Sequence, residues 1–575
     1  MPAVPRRYTS FVQWPFVQRP LPSDESAAGR WQFTKNARHR VGGRLGVANF
    51  GVGSSPASLP VLERQTRQTR RAPRLGVAST GVSSSPVSLP AHGRPAHGRQ
   101  TRRQGLEFTR HATSHTGFEG WVCSFLLAAS AMFAACDTTA GTLQVRIVTS
   151  PGSDLLVRAS QLRVTLSDPP TVRIVVKQAG GFALDLDVAA AAQRAVVKIE
   201  ALDAAGELLA WGETPPLVLG PISAELAVFI APPQTFALAP AQFEPARADM
   251  GATALSFGAL FAGGLDVAGV VRAEVEIYNA YTHSFQLGAP LPAARVAPAV
   301  VANGIQLAFI VGGEDSARNA AAGGWMFDTS VAPAGGYSNI VSNIAAPAGQ
   351  VALPIASSGT NRFVLSGPVA QLLDGPSLTA VALTPLVAVP ARGATVVVNN
   401  AVAAFFVGDR VSSAIVKIDS AGVTFEQADI IGARRIGHAV IGRGSDLLIV
   451  GGGTTAALAG SILKIDTTTM SAMSFEGVLQ PPRRDAAVAL AGAGRWLIVA
   501  GGFDATDGGP ATVLQTADVF DAVTLLRVAQ LPLAYARAGA TAFSLPNGQV
   551  LLGGGRDAAG QPIAHVELFT PSALP

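Results

Sequence analysis

Short apolar runs recur at regular intervals through about 330 residues at the C-terminal end of this 575-residue chain. In one unit, at 537–555, an Arg follows a Pro-containing loop, an apolar run leads to a turn at Gly, and a second apolar run ends in Gly residues. A third run ends in an apolar or aromatic residue plus Asp, as at 517–521, and a fourth run, as at 284–292, leads to the next Arg. Runs of five or six residues bordered by Gly, Pro, Asn and Asp favour strands over helices. Each unit therefore predicts four β-strands.

The spacing between the Arg and the first Gly of the pair identifies the repeat even where other residues differ. The spacing is 16 or 17 residues in six copies, which contain Arg247 with Gly263 and Gly264, Arg295 with Gly312 and Gly313, Arg392 with Gly408, Arg435 with Gly451 and Gly452, Arg484 with Gly501 and Gly502, and Arg537 with Gly553 and Gly554. In the Arg392 copy, Asp409 replaces the second Gly. The gap of 97 residues between Arg295 and Arg392 holds a further copy without its Arg, which ends at Gly367. Seven copies of four strands predict an all-β, seven-bladed β-propeller.

The repeat resembles the kelch repeat, which has an Arg before the first strand, a double Gly after the second and a Tyr-Asp-like end to the third. The resemblance covers about Thr235 to Pro575, and it implies a kelch-like propeller of the type found in the central domain of galactose-oxidase-type proteins. The Trp that kelch repeats often carry in the fourth strand is absent, and Phe285 or Phe425 lies near that position.

The two ends of the repeat region predict how the ring closes. The last copy finishes with a third strand at 564–570, and the run at 235–240 lies where a fourth strand belongs but has no unit of its own. We expect 235–240 to complete the last blade, because closure removes the open sheet edges. The Gly pairs favour a structural interpretation over a ligand-binding one, since Gly adopts positive φ and lets backbones approach closely.

Alternation of apolar and polar residues between Thr142 and about Pro233 predicts half-buried antiparallel strands. Such runs begin at 143, 162, 172, 182, 196 and 225. About seven strands in this length predict a small β-sandwich over 137–232, similar only in general shape to immunoglobulin-like modules. ProPro at 232 and 233 marks the boundary with the propeller, which covers 235–575.

The N-terminal residues 1–118 are rich in Arg, Ser, Pro, Gly and Gln and predict a disordered tail. Residues 1–120 hold 18 Lys and Arg against 5 Asp and Glu, whereas the remainder holds 25 against 33, so we expect no nucleic-acid binding by the folded part. A close duplication begins at Arg44 and again at Arg74. An Arg-rich arm for nucleic acid or anionic lipid, a nonfunctional extension, and a start assigned too far upstream are the alternatives, and the next segment favours the last.

Within residues 119–136, the apolar run at 121–135 is 15 residues long, which suits the apolar core of a secretory signal and is too short for a comfortable membrane span of about 20 residues. The PheAlaAlaCys end resembles the lipobox of bacterial lipoproteins, which implies that Cys136 is lipidated and begins the mature chain. A cleaved signal or a signal anchor stays open as an alternative. Only Cys123 and Cys136 are present, so the mature protein is expected to have no disulfide. The expected location is the cell envelope, anchored to a membrane and either at the outer membrane or facing the periplasm.

Few residues of the repeat region favour chemistry. His283, His438 and His565 lie in different copies without partners at metal-ligand spacing, and His438 is expected in the core or at the rim. The acids Asp266, Asp315, Asp504 and Asp557 all follow a Gly pair by two residues, which favours turn hydrogen bonding over a ring of carboxylates around a cation. The Arg residues are expected to bond to loop carbonyls. We predict no catalytic residue, no metal and no cofactor; copper radical oxidases of kelch type need a Cys that this region lacks.

The function predicted from these features is that of an exported, lipid-anchored binding or scaffold protein of the cell envelope. It is expected to be a monomer whose propeller loops bind a protein or a glycan. The alternative is a carbohydrate-active enzyme with its site at the propeller axis, where inward-facing acids and His would converge within hydrogen-bonding reach.

Overall fold

The computed structural model describes residues 143–178, 182, 194–218, 224–340, 349–355, 362–375, 377–383, 388–408, 415–419, 425–454, 456–505 and 511–573. The predicted tail at 1–118, the signal-like segment at 119–136 with Cys136, and Asp409 lie outside the described residues. Apart from one four-residue helix, the described elements are all β-strands. No helix in the described part of the chain is long and apolar enough to cross a membrane.

In the described part of the chain, eight strands and the helix precede the repeat region. They are β1 (Leu143–Val148), α1 (Leu155–Arg158), β2 (Gln161–Ser167), β3 (Pro170–Val176), β4 (Arg194–Ala195), β5 (Val197–Leu202), β6 (Leu208–Glu213), β7 (Leu217–Val218) and β8 (Ala224–Phe229). The strands β3-β2-β5-β6 form an antiparallel sheet, while β4 pairs with β7. The alternating pattern of β2, with Leu162 and Val164 buried, follows from the two-residue period of a strand.

One pairing in this region differs from the expected antiparallel arrangement, because β1 and β8 pair in parallel. Alternation of apolar residues reports which face of a strand is buried, but it does not report the direction of its partner. Ile147 of β1 and Val228 of β8 share one apolar core with Leu162 and Ile199 of the antiparallel sheet. The run predicted to begin at 182 lies outside the described residues except for Phe182, which packs against this core.

The repeat region contains seven four-stranded antiparallel sheets among its described residues. Sheet 1 is β11 (Gly251–Leu255), β12 (Gly258–Ala262), β14 (Val275–Asn279) and β15 (Ser284–Leu287); sheet 2 is β16 (Ala299–Ala302), β17 (Leu307–Val311), β18 (Gly324–Asp328) and β19 (Gly336–Asn339); sheet 3 is β20 (Ala352–Pro354), β21 (Arg362–Leu365), β22 (Gln371–Asp374) and β23 (Thr379–Ala382); sheet 4 is β24 (Gly393–Val398), β25 (Ala401–Val407), β26 (Ile415–Asp419) and β27 (Phe425–Ala428). Sheet 5 is β28 (Ala439–Arg443), β29 (Asp446–Val450), β30 (Ile462–Asp466) and β31 (Ser471–Phe475); sheet 6 is β32 (Ala487–Ala491), β33 (Trp496–Ala500), β34 (Thr516–Asp521) and β35 (Arg527–Pro532); sheet 7 is β36 (Thr541–Ser544), β37 (Val550–Gly553), β38 (His565–Thr570) and β9 (Thr235–Gln242). A small pair, β10 (Arg247–Ala248) with β13 (Leu265–Asp266), lies beside sheet 1.

The sheets follow one another through their first strands. The first strand of each sheet contacts the first strand of the next, and β36 of sheet 7 contacts β11 of sheet 1. Apolar clusters fill the spaces between neighbouring sheets, as where Leu260 of sheet 1 packs with Ile310 of sheet 2. The second strands are fully apolar and buried, as in β12 and β33, because they have a neighbouring sheet on each face. The arrangement of repeated sheets is propeller-like.

The expected closure of the last sheet is confirmed. Strand β9 pairs antiparallel with β38, with Phe236 opposite Phe569. The two rings lie 5.2 Å apart between centroids, so the closing strand contributes apolar packing in addition to its backbone hydrogen bonds.

The strands before the repeat also hold the last residues of the chain. The indole Nε1 of Trp211 donates to the carbonyl oxygen of Pro571 at 2.9 Å, and the Asn547 amide donates to the carbonyl oxygen of Glu213 at 3.3 Å. The Gln549 amide donates to the Thr570 hydroxyl oxygen at 3.1 Å, next to these contacts. Sheet 7 is therefore bound both by its closing strand and by the preceding region.

Candidate functional site

The Gly pairs connect neighbouring sheets through their backbones. Both residues of each pair have positive φ, at 70° and 101° for Gly263 and Gly264. The second Gly donates its N–H to the carbonyl oxygen of the Arg in the next sheet, at 2.6 Å from Gly264 to Arg295 and at 2.8 Å from Gly502 to Arg537. A Cβ on Gly263 would fall on the Arg295 carbonyl oxygen. Only Gly combines this φ with so close an approach.

In the last copy, the structure places the pair one residue later than the spacing predicts. Gly554 and Gly555 have the positive φ values of 68° and 85°, while Gly553 ends β37. Three Gly residues in a row leave the register of the pair undefined in the sequence, and the pairing of Gly553 with Thr541 in the sheet decides it. In the Arg392 copy, Gly408 directly follows β25.

Four of the Arg side chains that are buried just before the first strands share one position and bond to loop carbonyl oxygens. Arg435 donates from Nη1 to the carbonyl oxygens of Gly451 and Ser461, both at 3.0 Å. Arg537 donates in the same way to Gly554 and His565 at 3.3 and 3.2 Å. The other two are Arg247, which bonds to the Pro245 carbonyl oxygen, and Arg483.

In sheet 6, Arg483 occupies this buried position. The spacing of the repeat predicts Arg484 there instead. Arg483 donates to the carbonyl oxygens of Gly501 and Thr516 at 3.2 and 2.9 Å. Arg484 points to the other side, with its guanidinium 4.6 Å from the ring centre of Phe503. Adjacent residues in extended backbone face opposite ways, so only one of the two Arg residues can reach the buried carbonyls.

Arg392 does not occupy the buried position either. It precedes β24, where its carbonyl oxygen accepts from Val407 N–H at 2.8 Å. In its copy, Val389 provides the carbonyl oxygen that accepts from Gly367 N–H, at 3.0 Å. The Arg392 guanidinium instead reaches Asp485 of another sheet, with Nη2 3.3 Å from Oδ1.

The third strand determines the partner of each buried Arg. Three copies have an acid there, and it forms an ion pair in which both side chains are at most 2% exposed: Arg247 with Glu276 at 3.1 Å, Arg483 with Asp518 at 2.8 Å, and Arg537 with Glu567 at 2.8 Å. Burial raises the pKa of Glu276 and of Asp518, although the Arg beside each opposes this rise. Arg295 faces Trp325 in place of an acid, with its guanidinium 4.9 Å from the ring centre.

A series of residues in left-handed backbone lies just before the first strands, and we call it the rim. Its members and their φ values are Asp249 (61°), Ala297 (48°), Gly349 (80°), Gly437 (63°), Asp485 (52°) and Gly539 (67°). Backbone hydrogen bonds join them from sheet to sheet: Ala297 N–H to Asp249 at 3.2 Å, Gly349 to Ala297 at 3.4 Å, Asp485 to Gly437 at 2.6 Å, and Gly539 to Asp485 at 3.0 Å. These hydrogen bonds join the rim residues in two groups, from Asp249 to Gly349 and from Gly437 to Gly539.

The two acids of the rim hold Arg side chains from other parts of the repeat. Arg556 donates from Nη2 to Oδ2 of Asp249 at 2.5 Å. Asp485 binds Arg392 and also Arg484, which donates from Nη1 to Oδ2 at 2.6 Å. Arg392 and Arg556 are each about 30% exposed, so their charges reach solvent. The rim therefore presents mixed charge at fixed positions.

The repeated Asp residues after the Gly pairs form turns, as expected. Asp266 accepts from the N–H groups of Ala268 and Val270, both at 2.9 Å, and Asp557 accepts from Ala559 and Gln561. Asp315 and Asp504 accept backbone N–H groups in the same way. Each carboxylate is used within its own loop. Within the described ranges, no three His, Cys, Asp or Glu side chains lie close enough together to hold a metal ion.

The three His residues lie apart. His438 is 1% exposed and packs on Gly452, in agreement with the expected core or rim position. Burial, together with the nearby Arg392 charge, lowers the pKa of His438 to about 3. His283 is buried against Tyr278, whose hydroxyl lies 2.8 Å from Nδ1, and burial lowers its pKa to about 3 as well. His565 stacks on Tyr535. The structure does not bring these rings together.

A cavity of about 360 Å³ lies between the first strands of sheets 1, 2 and 3, with Phe543 of sheet 7 at its wall. Its lining is mainly Ala, Val, Leu and Pro, with Thr253 and Gln350 as the polar residues. Because most of these residues are ordinary strand residues in the sequence, the pattern offered no signal of a cavity. Their small size and the position of their strands become informative only in the structure.

Comparisons with known proteins identify no family for this chain. No family model matches it, and no curated protein matches it. A solved structure described as "Structure of YjhT" is similar at 14% sequence identity, over 48% of this chain and 95% of that chain, with a TM-score of 0.36.

Proposed function

We propose that residues 235–575 form a seven-bladed kelch-like β-propeller and that residues 137–232 form a small immunoglobulin-like β-sandwich before it. The common strand order of sheets 1 to 7, their successive contacts back to sheet 1, and the closing strand β9 support the propeller. The apolar core shared by the parallel pair and the antiparallel sheet supports the sandwich.

We further propose that the protein is a binding or scaffold protein of the cell envelope whose rim contacts a protein or a glycan. The observation that carries this proposal is the fixed mixed charge of the rim. Asp249 and Asp485 hold Arg556 and Arg392 in place while both guanidinium groups stay partly exposed. Charged groups that are already held in ion pairs lose less freedom on binding, and their arrangement favours a polar partner of complementary charge.

The proposed anchor is a lipid on Cys136, which would attach the mature chain to a membrane. This part of the proposal is supported by the lipobox-like end of the signal-like segment. Expression in a bacterial host with an alkyne-bearing fatty acid tests it. We expect label on the wild type and on Cys123→Ala, and none on Cys136→Ala. Equal labelling of both variants would exclude Cys136 as the anchor.

The binding role is tested with a panel of purified envelope glycans and outer-membrane proteins, measured by biolayer interferometry. We expect at least one ligand whose affinity falls by about tenfold or more in Arg392→Glu, because the reversal places a negative charge beside Asp485. Arg158→Glu is the matched control, since Arg158 is an exposed Arg outside the repeat region. Similar losses of affinity in both variants, or affinities unchanged in Arg392→Glu, would show that the rim does not contact the ligand.

A further inference from the structure

Two turns of the repeat region contain the dipeptide Asn-Gly, which occurs nowhere else in the chain. Asn303-Gly304 lies between β16 and β17 of sheet 2, and Asn547-Gly548 lies between β36 and β37 of sheet 7. Both Gly residues have positive φ, at 79° and 78°. An Asn before Gly is reactive, because Gly has no side chain to hinder attack of its backbone nitrogen on the Asn side chain. The surroundings of each turn decide whether this attack occurs.

The Asn303 side chain is held in a way that favours the attack. Its Oδ1 accepts backbone N–H groups from Ile305, Gln306 and Leu307, at 2.9, 3.2 and 3.1 Å. These donors polarise the amide carbonyl, and they stabilise the negative charge that develops on Oδ1 when a nucleophile adds to Cγ. The Nδ2 group, which has to leave, makes no hydrogen bond with any residue that the structure describes.

The attacking nitrogen is also available in this turn. Gly304 is exposed, and among the described residues its N–H has no hydrogen-bond acceptor. Ile305, next to it, is 53% exposed, so water has access to the turn. The turn of sheet 2 therefore offers the nucleophile, a polarised amide and water for a later hydrolysis.

The turn of sheet 7 has the opposite environment. Asn547 is 2% exposed, and its Nδ2 donates to the Glu213 carbonyl oxygen at 3.3 Å and to Gln549 Oε1 at 2.9 Å. The Gly548 N–H donates to the Leu545 carbonyl oxygen at 3.0 Å. Both the leaving group and the attacking nitrogen are thus engaged, and burial keeps water away from them.

We propose that Asn303 is a site of spontaneous deamidation in the folded chain. The Gly304 nitrogen loses its proton to base and forms a bond to Cγ of Asn303, and Nδ2 leaves as ammonia with a proton from solvent. The product is a cyclic succinimide. Water then adds to either carbonyl of the ring, which opens to aspartate or to isoaspartate.

The modification adds a negative charge next to the cavity between the first strands, because Gly304 is part of its lining. The aspartate product is expected to keep the turn, since Asp266 forms a similar turn in which Oδ1 accepts two backbone N–H groups. Isoaspartate lengthens the backbone by one carbon and should weaken the adjacent pairing of Ala302 with Ala308. The site is separate from the rim, so it does not depend on the partner proposed there.

Peptide mass spectrometry of the full chain during incubation at mildly alkaline pH tests the proposal. Trypsin places the two Asn-Gly pairs in separate peptides, 296–318 and 538–556, each with a single Asn. In the native chain, we expect the peptide 296–318 to gain the mass of an amide-to-acid conversion at least about tenfold faster than 538–556. It should yield two products of equal mass, because the ring opens at either carbonyl. In guanidinium chloride, where both turns are unfolded, the two rates should become similar.

The variant Asn303→Asp is the control for the assignment. It should fold as the wild type does, and its peptide 296–318 should gain no further mass. A gain that persists in this variant would place the reaction at Gln306, the other amide side chain of that peptide. That result, no conversion of Asn303 in the native chain, or native conversion of Asn547 as fast as that of Asn303 would each overturn the proposal.

Discussion

The residue opposite each buried Arg on the third strand decides how the guanidinium charge is balanced. An acid forms a buried ion pair, as between Arg537 and Glu567. In sheet 5, Leu463 precludes this pair, and Arg435 turns to the Ser461 hydroxyl at 2.9 Å. A buried charge requires a charged or hydrogen-bonding partner, and the residue that provides it differs between copies.

Removal of one member of such a pair is expected to be strongly destabilising. Glu567→Gln leaves the Arg537 charge buried without a counter-charge, and it should lower the free energy of unfolding by about 3–5 kcal/mol. The double variant Arg537→Met, Glu567→Leu should recover most of this loss, because no charge stays buried. Chemical denaturation of the two variants measures both effects; a double variant as unstable as the single one would contradict the argument.

The buried His residues predict a loss of stability in acid. The pKa of His438 is about 3 in the folded chain and about 6.5 when unfolded. The unfolded state therefore binds more protons between these values, and stability present above about pH 6.5 falls as the pH drops towards 3. Each such His contributes a slope of up to about 1.4 kcal/mol per pH unit.

His438→Asn isolates this contribution from that of the buried acids, whose raised pKa values act with the opposite sign. Denaturation at several pH values between 4 and 7 should show a shallower slope in the variant, by about 1 kcal/mol per pH unit. Parallel curves for the variant and the wild type would show that His438 does not titrate as argued.

At the scale of the element, sheet 6 depends on its Gly residues as well as on its apolar strands, because these Gly residues adopt positive φ. Gly502 of sheet 6 has a φ of 98°, and a Cβ there would lie 2.6 Å from the Arg484 carbonyl oxygen. Gly494, in the turn of the same sheet, has a φ of 84° but open space around it. Substitution of Gly494 therefore tests backbone strain alone, whereas substitution of Gly502 tests backbone strain together with a steric clash.

We expect Gly494→Ala to lower the free energy of unfolding by about 1–2 kcal/mol, the cost of left-handed backbone for a residue with a Cβ. Gly502→Ala should cost about 1–3 kcal/mol more, because the methyl group also displaces the backbone of Arg484 and Ala486. Thermal and urea denaturation of both variants test this difference. Equal losses would mean that sheet 6 relaxes around the added methyl group.

At the scale of the whole molecule, closure depends on a strand from the start of the repeat region. Strand β9 covers the edge of β38, and the Trp211 and Asn547 hydrogen bonds hold the neighbouring chain end. An uncovered β38 would present an unpaired strand edge to other molecules. The region before the repeat should therefore stabilise closure, while β9 itself should be required for a soluble ring.

Two truncations distinguish these roles. A chain of residues 233–573 keeps β9 and should stay soluble and folded with a lower melting temperature than the full chain. A chain of residues 244–573 lacks β9 and should form higher oligomers or aggregate. Size-exclusion chromatography with circular dichroism measures both, and a soluble, monomeric 244–573 chain would contradict the closing role of β9.

Much of the architecture could be predicted from short-range patterns in the sequence. Apolar runs bordered by Gly, Pro, Asn and Asp predicted the strands, and the unpaired run at 235–240 predicted the closing strand, because strand period and turn chemistry are local properties. The turns at Asp266, Asp315 and Asp557 were equally local, since each of these carboxylates accepts N–H groups two and four residues further along, whereas Asp504 accepts from Thr512, eight residues away. These features depend on residues that are neighbours in the chain, and they can therefore be predicted from the sequence.

The remaining features were decided by residues distant in sequence. Arg483, and not Arg484, occupies the buried position because Asp518 lies opposite it. Gly554 and Gly555 form the last Gly pair because Gly553 pairs with Thr541 in the sheet. The parallel pairing of β1 with β8, the charges of the rim and the cavity at Gln350 likewise need strands from several sheets. The sequence pattern determines which residues favour burial or a turn, whereas only packing in three dimensions determines which partner each of them contacts.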